Sequence, residues 1–311
     1  MPYELSNKLV IGLASSALFD LDESDAIFRT DGPEVYRAFQ RDNQHLPLKT
    51  GVAFPFIKRL LSLNELNPEN PPIEVVLLSR NSPDTGLRVM ESIKHYGLGI
   101  TRAVFLRGRT PHSYIPVFNI SLFLSANEID VNQAITAGYP AGHVMHSNIV
   151  DDVEDNELRI AFDFDGVLAD DEAETIFQKT SDIRMFHKHE TDQVDVAHNP
   201  GPLKEFLEKI SLIQKMEEQR AAEEPSYVQK LRISIVTARC APSHERVINT
   251  MRTWGINVDE AFFLGGIEKK KVLEQLRPHI FFDDQKLHLE PTVNILPSVH
   301  IPFGISNTLP D

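Results

Sequence analysis

Arg159-Ile160-Ala161-Phe162-Asp163-Phe164-Asp165-Gly166-Val167-Leu168 is the stretch on which the reading of this chain turns. An apolar run long enough for a buried strand ends in two aspartates one residue apart, and a glycine follows. Successive strand residues face opposite ways, but a chain that curls at the strand's end can bring both carboxylates to one point. Held there, one acid can attack phosphorus and the other can carry a proton. The same oxygens suit a magnesium ion.

An isolated Asp-x-Asp is weak, since such pairs also cap helices, so the chain must supply partners. Leu231-Arg232-Ile233-Ser234-Ile235-Val236-Thr237 reads as a second strand ending in a hydroxyl. Lys269, Lys270 and Lys271 follow Gly265 and Gly266, and His279-Ile280-Phe281-Phe282-Asp283-Asp284 reads as a third strand ending in paired acids. All lie at strand ends or just beyond, the edge where open parallel α/β sheets bind ligands.

The order aspartate pair, threonine, lysine, aspartate pair resembles the haloacid dehalogenase-like phosphohydrolases. Response-regulator receivers use similar residue types in another order. The resemblance implies Asp163 as nucleophile and Asp165 as the acid that protonates the leaving oxygen and then activates water. It implies Thr237 as a hydrogen-bond donor to the phosphoryl oxygens and a lysine that neutralises developing charge. It assigns the magnesium ion to Asp163, Asp165, Asp283 and Asp284. Phosphoryl transfer depends mainly on positioning and charge stabilisation, which such a set supplies.

Composition narrows the class. The chain has 311 residues, enough for two domains or one large one, and 41% hydrophobic content suits a sizeable core. A net charge of −14 argues against a nucleic-acid polymer as partner, which needs a basic face. A phosphate ester stays compatible, because a lysine and a metal reverse the field locally. Cys240 is the single cysteine, so no intrachain disulfide forms; it is expected to be a buried small residue in a reducing compartment. No apolar run approaches about 18–20 residues, which predicts no membrane span. Leu9 to Phe19 has the look of a signal-peptide core, but Glu4 offsets Lys8 and acids follow, so it reads as a first buried strand.

The chain also repeats itself. Val75 to Asn127 aligns without a gap on Ile233 to Gln285 at an offset of 158, matching Arg88-Val89 to Arg246-Val247 and Phe123 to Phe281. The opening segment repeats at an offset of 149 (Ile11 on Ile160) and the middle at 150 (Gly51 on Gly201, Phe56 on Phe206), as two loop insertions would produce. The register disposes of a trap: Phe19-Asp20-Leu21-Asp22 falls beyond the nucleophile, and the counterparts of Asp163 and Asp165 are Ala14 and Ser16. Thr237 pairs with Ser79, and Asp283 and Asp284 with Ser125 and Ala126. The expectation is an α/β fold of two Rossmann-like parallel-sheet halves from an internal duplication. Residues 1–150 would form a degenerate half and 151–311 the catalytic half, with a cap insertion at about 170–200.

Within this frame helices are predicted over 34–41, 54–64, 85–95, 131–137, 202–216, 243–254 and 269–275, and Glu217 to Glu224 reads as a solvated helix end. The positive end of the helix at Lys269 would favour a phosphate. His187, His189, Asp192, Asp195 and His198 match no common zinc spacing and read as solvated residues of the insertion, some touching substrate. Gly-x-Gly-x-x-Gly and P-loop patterns are missing, so dinucleotide and P-loop readings lack support.

The whole chain further resembles the type I cytosolic 5′-nucleotidase family. The resemblance rests on Ala53-Phe54-Pro55-Phe56, Ser92-Ile93-Lys94-His95-Tyr96, Gly201-Pro202-Leu203-Lys204, Val236-Thr237-Ala238-Arg239, Ala261-Phe262-Phe263-Leu264 and Arg277-Pro278-His279-Ile280-Phe281-Phe282-Asp283-Asp284-Gln285. It implies magnesium-dependent hydrolysis of nucleoside 5′-monophosphates in the cytoplasm through an aspartyl-phosphate. Lys269, five residues after Leu264, takes the family's lysine position. The nucleophile loop Asp163-Phe164-Asp165-Gly166-Val167 departs from the eukaryotic members, which carry glycine between the aspartates and alanine after them. Two alternatives stay open at this level: another small phosphate ester as substrate, or a nucleotide-sensing module without turnover. The sequence leaves a homo-oligomer open.

Overall fold

The computed structural model describes residues 3–180 and 182–307. The chain divides into two compact units, one up to His146 and the other from Ser147.

In the first unit the strands are β1 (Leu9–Leu13), β2 (Ile73–Ser79), β3 (Arg102–Phe105), β4 (Leu122–Ser125) and β5 (Ala141–Val144). They pair in parallel in the order β3-β2-β1-β4-β5. Every residue of β1, β2 and β4 is buried, as expected of parallel strands covered on both faces, and this is why they read as unbroken apolar runs.

In the second unit the strands are β6 (Leu158–Phe162), β7 (Leu231–Thr237), β8 (Glu260–Phe263), β9 (Ile280–Asp283) and β10 (Ser298–His300). Their parallel order is β8-β7-β6-β9-β10. The helix Lys204–Glu223 buries Phe206, Leu207, Ile210 and Ile213. Phe206 meets Phe162 and Phe282 at ring separations of 5.8 and 5.9 Å, and each such side chain contributes roughly 1.5–3 kcal/mol by leaving water.

The two units share their pairing register. Ile11 lies opposite Val75 and Leu122, and Ile160 opposite Ile233 and Ile280, which are the same positions after shifts of 149 and 158. Ala14 N donates to Leu124 O at 2.8 Å as Asp163 N donates to Phe282 O at 2.8 Å. Gly51 N donates to Leu18 O, and Gly201 N to Leu168 O, each at 2.8 Å. A Cβ on Gly51 would lie 2.9 Å from Ala17 O and one on Gly201 2.3 Å from Ala169 O, so both turns require a residue without a side chain.

Several local expectations change in the structure. Leu9 to Phe19 is a five-residue strand followed by a helical turn, Ser15–Leu18. The helix expected over 34–41 runs Asp22–Asp42, with a break at Gly32 before Pro33. The helix expected over 202–216 extends to Glu223, and Glu217 is not solvated: it is buried and accepts from Tyr227 Oη at 2.5 Å and from Lys230 N and Leu231 N at 2.9 Å. A charged run hides such a residue, because only the fold shows that β7 begins beside it. Cys240 is half-buried rather than buried. Among the described residues no helix is long and apolar enough to cross a membrane.

Candidate active site

β6 lies between β7 and β9, so the three strands end side by side. Asp163 follows β6, Thr237 closes β7, and Asp283 closes β9 with Asp284 next. The sequence order of the motifs therefore becomes a spatial cluster at one sheet edge.

Lys269, the first residue of the helix Lys269–Leu276, reaches into that cluster. Its Nζ lies 2.8 Å from Asp163 Oδ2 and 2.7 Å from Asp283 Oδ2. All three side chains are buried. Asp163 Oδ1 accepts from Phe164 N at 2.7 Å, and Asp283 Oδ1 from Gln285 N at 2.8 Å. Thr237 Oγ1 accepts from Arg239 N at 3.2 Å, leaving the hydroxyl hydrogen to give.

The electrostatics follow from burial and charge count. Burial lifts Asp163 to about 7 and outweighs the pull of Lys269; Asp283 and Asp165 add to the rise. Burial lifts Asp284 to about 9, helped by Asp163 and Asp283. Burial would also raise Asp283, but Lys269 and His288 together hold it below the ordinary carboxylate range. Burial would lower the Lys269 ammonium, yet Asp163 and Asp283 push it up. Four aspartates share one lysine and one arginine, so the cluster is short of positive charge.

Asp284 marks where a cation fits. Its Oδ1 is buried without a hydrogen-bond partner among the described residues. Its carboxylate packs on Gly166, whose φ is +70° and where a Cβ would lie 2.6 Å from Asp284 Oδ2. The donors are hard oxygens, the type that magnesium takes. His288, absent from the sequence-based set, lies with Nδ1 3.2 Å from Asp283 Oδ2. Asp163, Asp283 and His288 each offer a ligand atom within 4.8 Å of the others.

Asp165 is held differently. Arg239 Nε donates to its Oδ2 at 2.7 Å and Nη2 to its Oδ1 at 2.6 Å. The other edge of the guanidinium, Nη1, pairs with Glu190 of the helix Ile183–Asp192. Burial would lower Arg239, but Asp165 and Glu190 push it well above its ordinary value. Sequence reading passed over Arg239, Glu190 and His288. Arg239, two residues past the strand-end threonine, was the only one with a local signal.

The five residues singled out in the insertion do not form one cluster among the described residues, but one of them, His198, joins Asp170 and Glu172, each offering a ligand atom within 4.8 Å of the others. Asp192 pairs with Lys188 at 2.5 Å, His189 lies 3.6 Å from Glu172, and His198 lies 3.2 Å from Glu190. His198 is buried, so the expectation of a solvated residue fails there.

Comparison with known proteins adds to this geometry. Human cytosolic 5′-nucleotidase 1B is 36% identical over 296 residues, which cover 93% of this chain and 48% of the human one. The chain thus spans about half the length of that curated relative. A solved histidinol dehydrogenase from Elizabethkingia anophelis overlaps 94% of this chain and 52% of its own at a TM-score of 0.22 and 7% identity, too loosely to bear on fold or function. The 5′-nucleotidase family model matches residues 1–308. On that match and on the human relative, the chain belongs to the 5′-nucleotidase family.

Proposed function

We propose that this protein hydrolyses nucleoside 5′-monophosphates to nucleoside and phosphate with magnesium, through an aspartyl-phosphate on Asp163. The observation that carries the reading is the meeting of Asp163, Lys269 and Asp283 within 2.8 Å at one strand edge, in a chain of this family. The human relative's name supplies the substrate class.

A carboxylate oxygen of Asp163 attacks phosphorus, and the bond from phosphorus to the ribose O5′ breaks. The electron pair stays on O5′, which takes a proton from the Asp165 carboxyl. Asp165, now ionised, takes a proton from water as that water attacks the phosphoryl group. The bond from phosphorus to Asp163 breaks, and phosphate and a free carboxylate result. Lys269 fixes the attacking carboxylate, and the Thr237 hydroxyl donates to the phosphoryl oxygens. Asp163, Asp283 and Asp284 would hold magnesium, which when bound neutralises charge developing on those oxygens, while Asp165, whose two oxygens face Arg239, is left to carry the proton. The orphaned Asp284 Oδ1 supports that assignment.

The finer architecture belongs to the same proposal. Residues 1–150 and 151–311 are read as duplicated haloacid dehalogenase-like halves, supported by the shared register at offsets of 149 and 158. The first lacks the carboxylates, carrying Ala14, Ser16, Ser125 and Ala126 in their places. The insertion at about 170–200 is read as a cap that selects substrate. The cytoplasm is its proposed compartment.

The test is phosphate release from a panel of nucleoside monophosphates, ribose 5-phosphate and simple alkyl phosphates, with Asp163→Asn as control. Release should need magnesium, stop in the variant, and fall when base and ribose are removed. Turnover persisting in Asp163→Asn would remove the covalent route. Equal turnover of the simple esters would remove the nucleotide assignment.

A further inference from the structure

The insertion reaches the proton-carrying aspartate through a buried chain of charges. Glu190, on the helix Ile183–Asp192, is 1% exposed and touches none of the groups assigned to the chemistry. Its carboxylate pairs with Arg239 Nη1 and with Arg246 Nη1 at 2.8 Å, and His198 Nε2 lies 3.2 Å away. Arg246 continues to Val196 O at 2.9 Å and to Glu172 at 3.2 Å. Arg239 in turn grips both oxygens of Asp165. The rings of Phe164 and Phe186 lie 5.5 and 5.3 Å from its guanidinium carbon.

We infer that Glu190 is a positioning residue for Asp165, acting through Arg239. The inference rests on the reading of Asp165 as the acid and base of the reaction. A guanidinium is planar and rigid, so its two edges keep a fixed relation. Glu190 holds one edge while the two aromatic rings lie against the guanidinium, and the remaining edge is then aimed. That edge sets the orientation of the Asp165 carboxylate. Stability alone does not account for the arrangement: removing buried ions from water costs about as much as their pairing returns, and apolar residues of the same volume do as well. The network instead ties the rotamer of one strand-end carboxylate to the seating of the insertion.

The test separates a proton-transfer role from a structural one by changing the leaving group. The substrate is the nucleoside monophosphate turned over fastest in the panel, beside its 5′-S-phosphorothiolate, in which sulfur replaces the bridging oxygen. The two share base, ribose and phosphoryl group, but a thiolate leaves with little help from an acid. Nucleoside release is followed in the first turnover at saturating substrate. Glu190→Gln should slow release from the oxygen ester roughly tenfold, part of what a general acid supplies, and from the sulfur analogue by less than about threefold. Substrate affinity should change by less than about twofold. Arg239→Lys keeps the charge and loses the fork, so it should show the same selective loss; it also covers the case in which Glu190→Gln does not fold. Equal losses on both substrates, or rates equal to those of the unmodified protein, overturn the inference. Asp165→Asn tells this failure from failure of the underlying reading. If it spares the sulfur analogue and the other two variants do not, the inference alone falls. If it slows both substrates equally, the acid role of Asp165 falls and the inference with it.

Discussion

Lys269 Nζ and Asp163 Oδ2 lie 2.8 Å apart with both side chains buried, and the same ammonium is 2.7 Å from Asp283. One cation thus restrains two carboxylates that would otherwise repel. Removing it leaves buried negative charge with fewer partners. Lys269→Met should lower the unfolding free energy of the metal-free protein by about 3 kcal/mol. Magnesium should restore part of the loss. Urea unfolding in chelator and in magnesium checks both statements; a variant as stable as the unmodified protein in chelator would contradict them.

Gly166 sits at φ +70° under the Asp284 carboxylate. Alanine there is strained and drives its Cβ into Asp284 Oδ2. Gly166→Ala should cost roughly 1–3 kcal/mol of stability and reduce turnover, because Asp284 must move off its position. Unfolding and phosphate release on the same preparation test this. Unchanged turnover would mean that the Asp284 position does not matter to the chemistry.

Glu190 carries a pH dependence whose sign is fixed. Burial would raise its carboxyl, but His198 and Arg239 outweigh burial and hold it down to about 2, from an ordinary 4.5. A depressed carboxylate contributes stability that is present above pH 4.5 and lost as pH falls through about 2. The contribution is on the order of 3 kcal/mol. The stability gap between the unmodified protein and Glu190→Gln should be wide near neutral pH and narrow steadily in acid below the ordinary carboxylate range. Denaturant unfolding across that range measures it, and a gap independent of pH would assign the effect to packing instead.

The first unit should not be convertible by two substitutions. Ser125→Asp with Ala126→Asp restores one acid pair, but Ala14 and Ser16 still stand where the nucleophile and proton carrier would be. Ser125 is also fully buried, and Pro111 stands where the offset of 158 would place Lys269. In an Asp163→Asn background the pair should give no phosphate release. Measurable turnover would show that the first unit needs less chemistry than the second.

The strands that carry the site were legible because buried parallel strands are long apolar runs with polar ends. Asp163, Thr237 and Asp283 each follow or close such a run; Lys269 comes after Gly265 and Gly266, beyond the half-buried β8. The offsets of 149 and 158 were legible for the same reason: they rest on core apolar positions, and the strands at those positions pair in the same register. Strand β5 and strand β10 were not seen, since Ala141-Gly142-His143-Val144 and Ser298-Val299-His300 are short and interrupted by glycine, serine or histidine, leaving no apolar run to read. Glu217 and His198 were assigned to solvent because charge along the chain carries no record of what folds over it.

By itself the sequence determined the class of fold, the order of the strand-end motifs, and which half holds the carboxylates, because each is written in local apolar runs and in spacing. Only the tertiary structure decided how those carboxylates share their counter-charges. Asp163 and Asp283 divide Lys269, Asp165 goes to Arg239, and Asp284 keeps an oxygen without a hydrogen-bond partner among the described residues. The partition depends on distances of a few ångströms between residues tens of positions apart. At that range, and out of water, the nearest cation outweighs every preference that the local sequence can express.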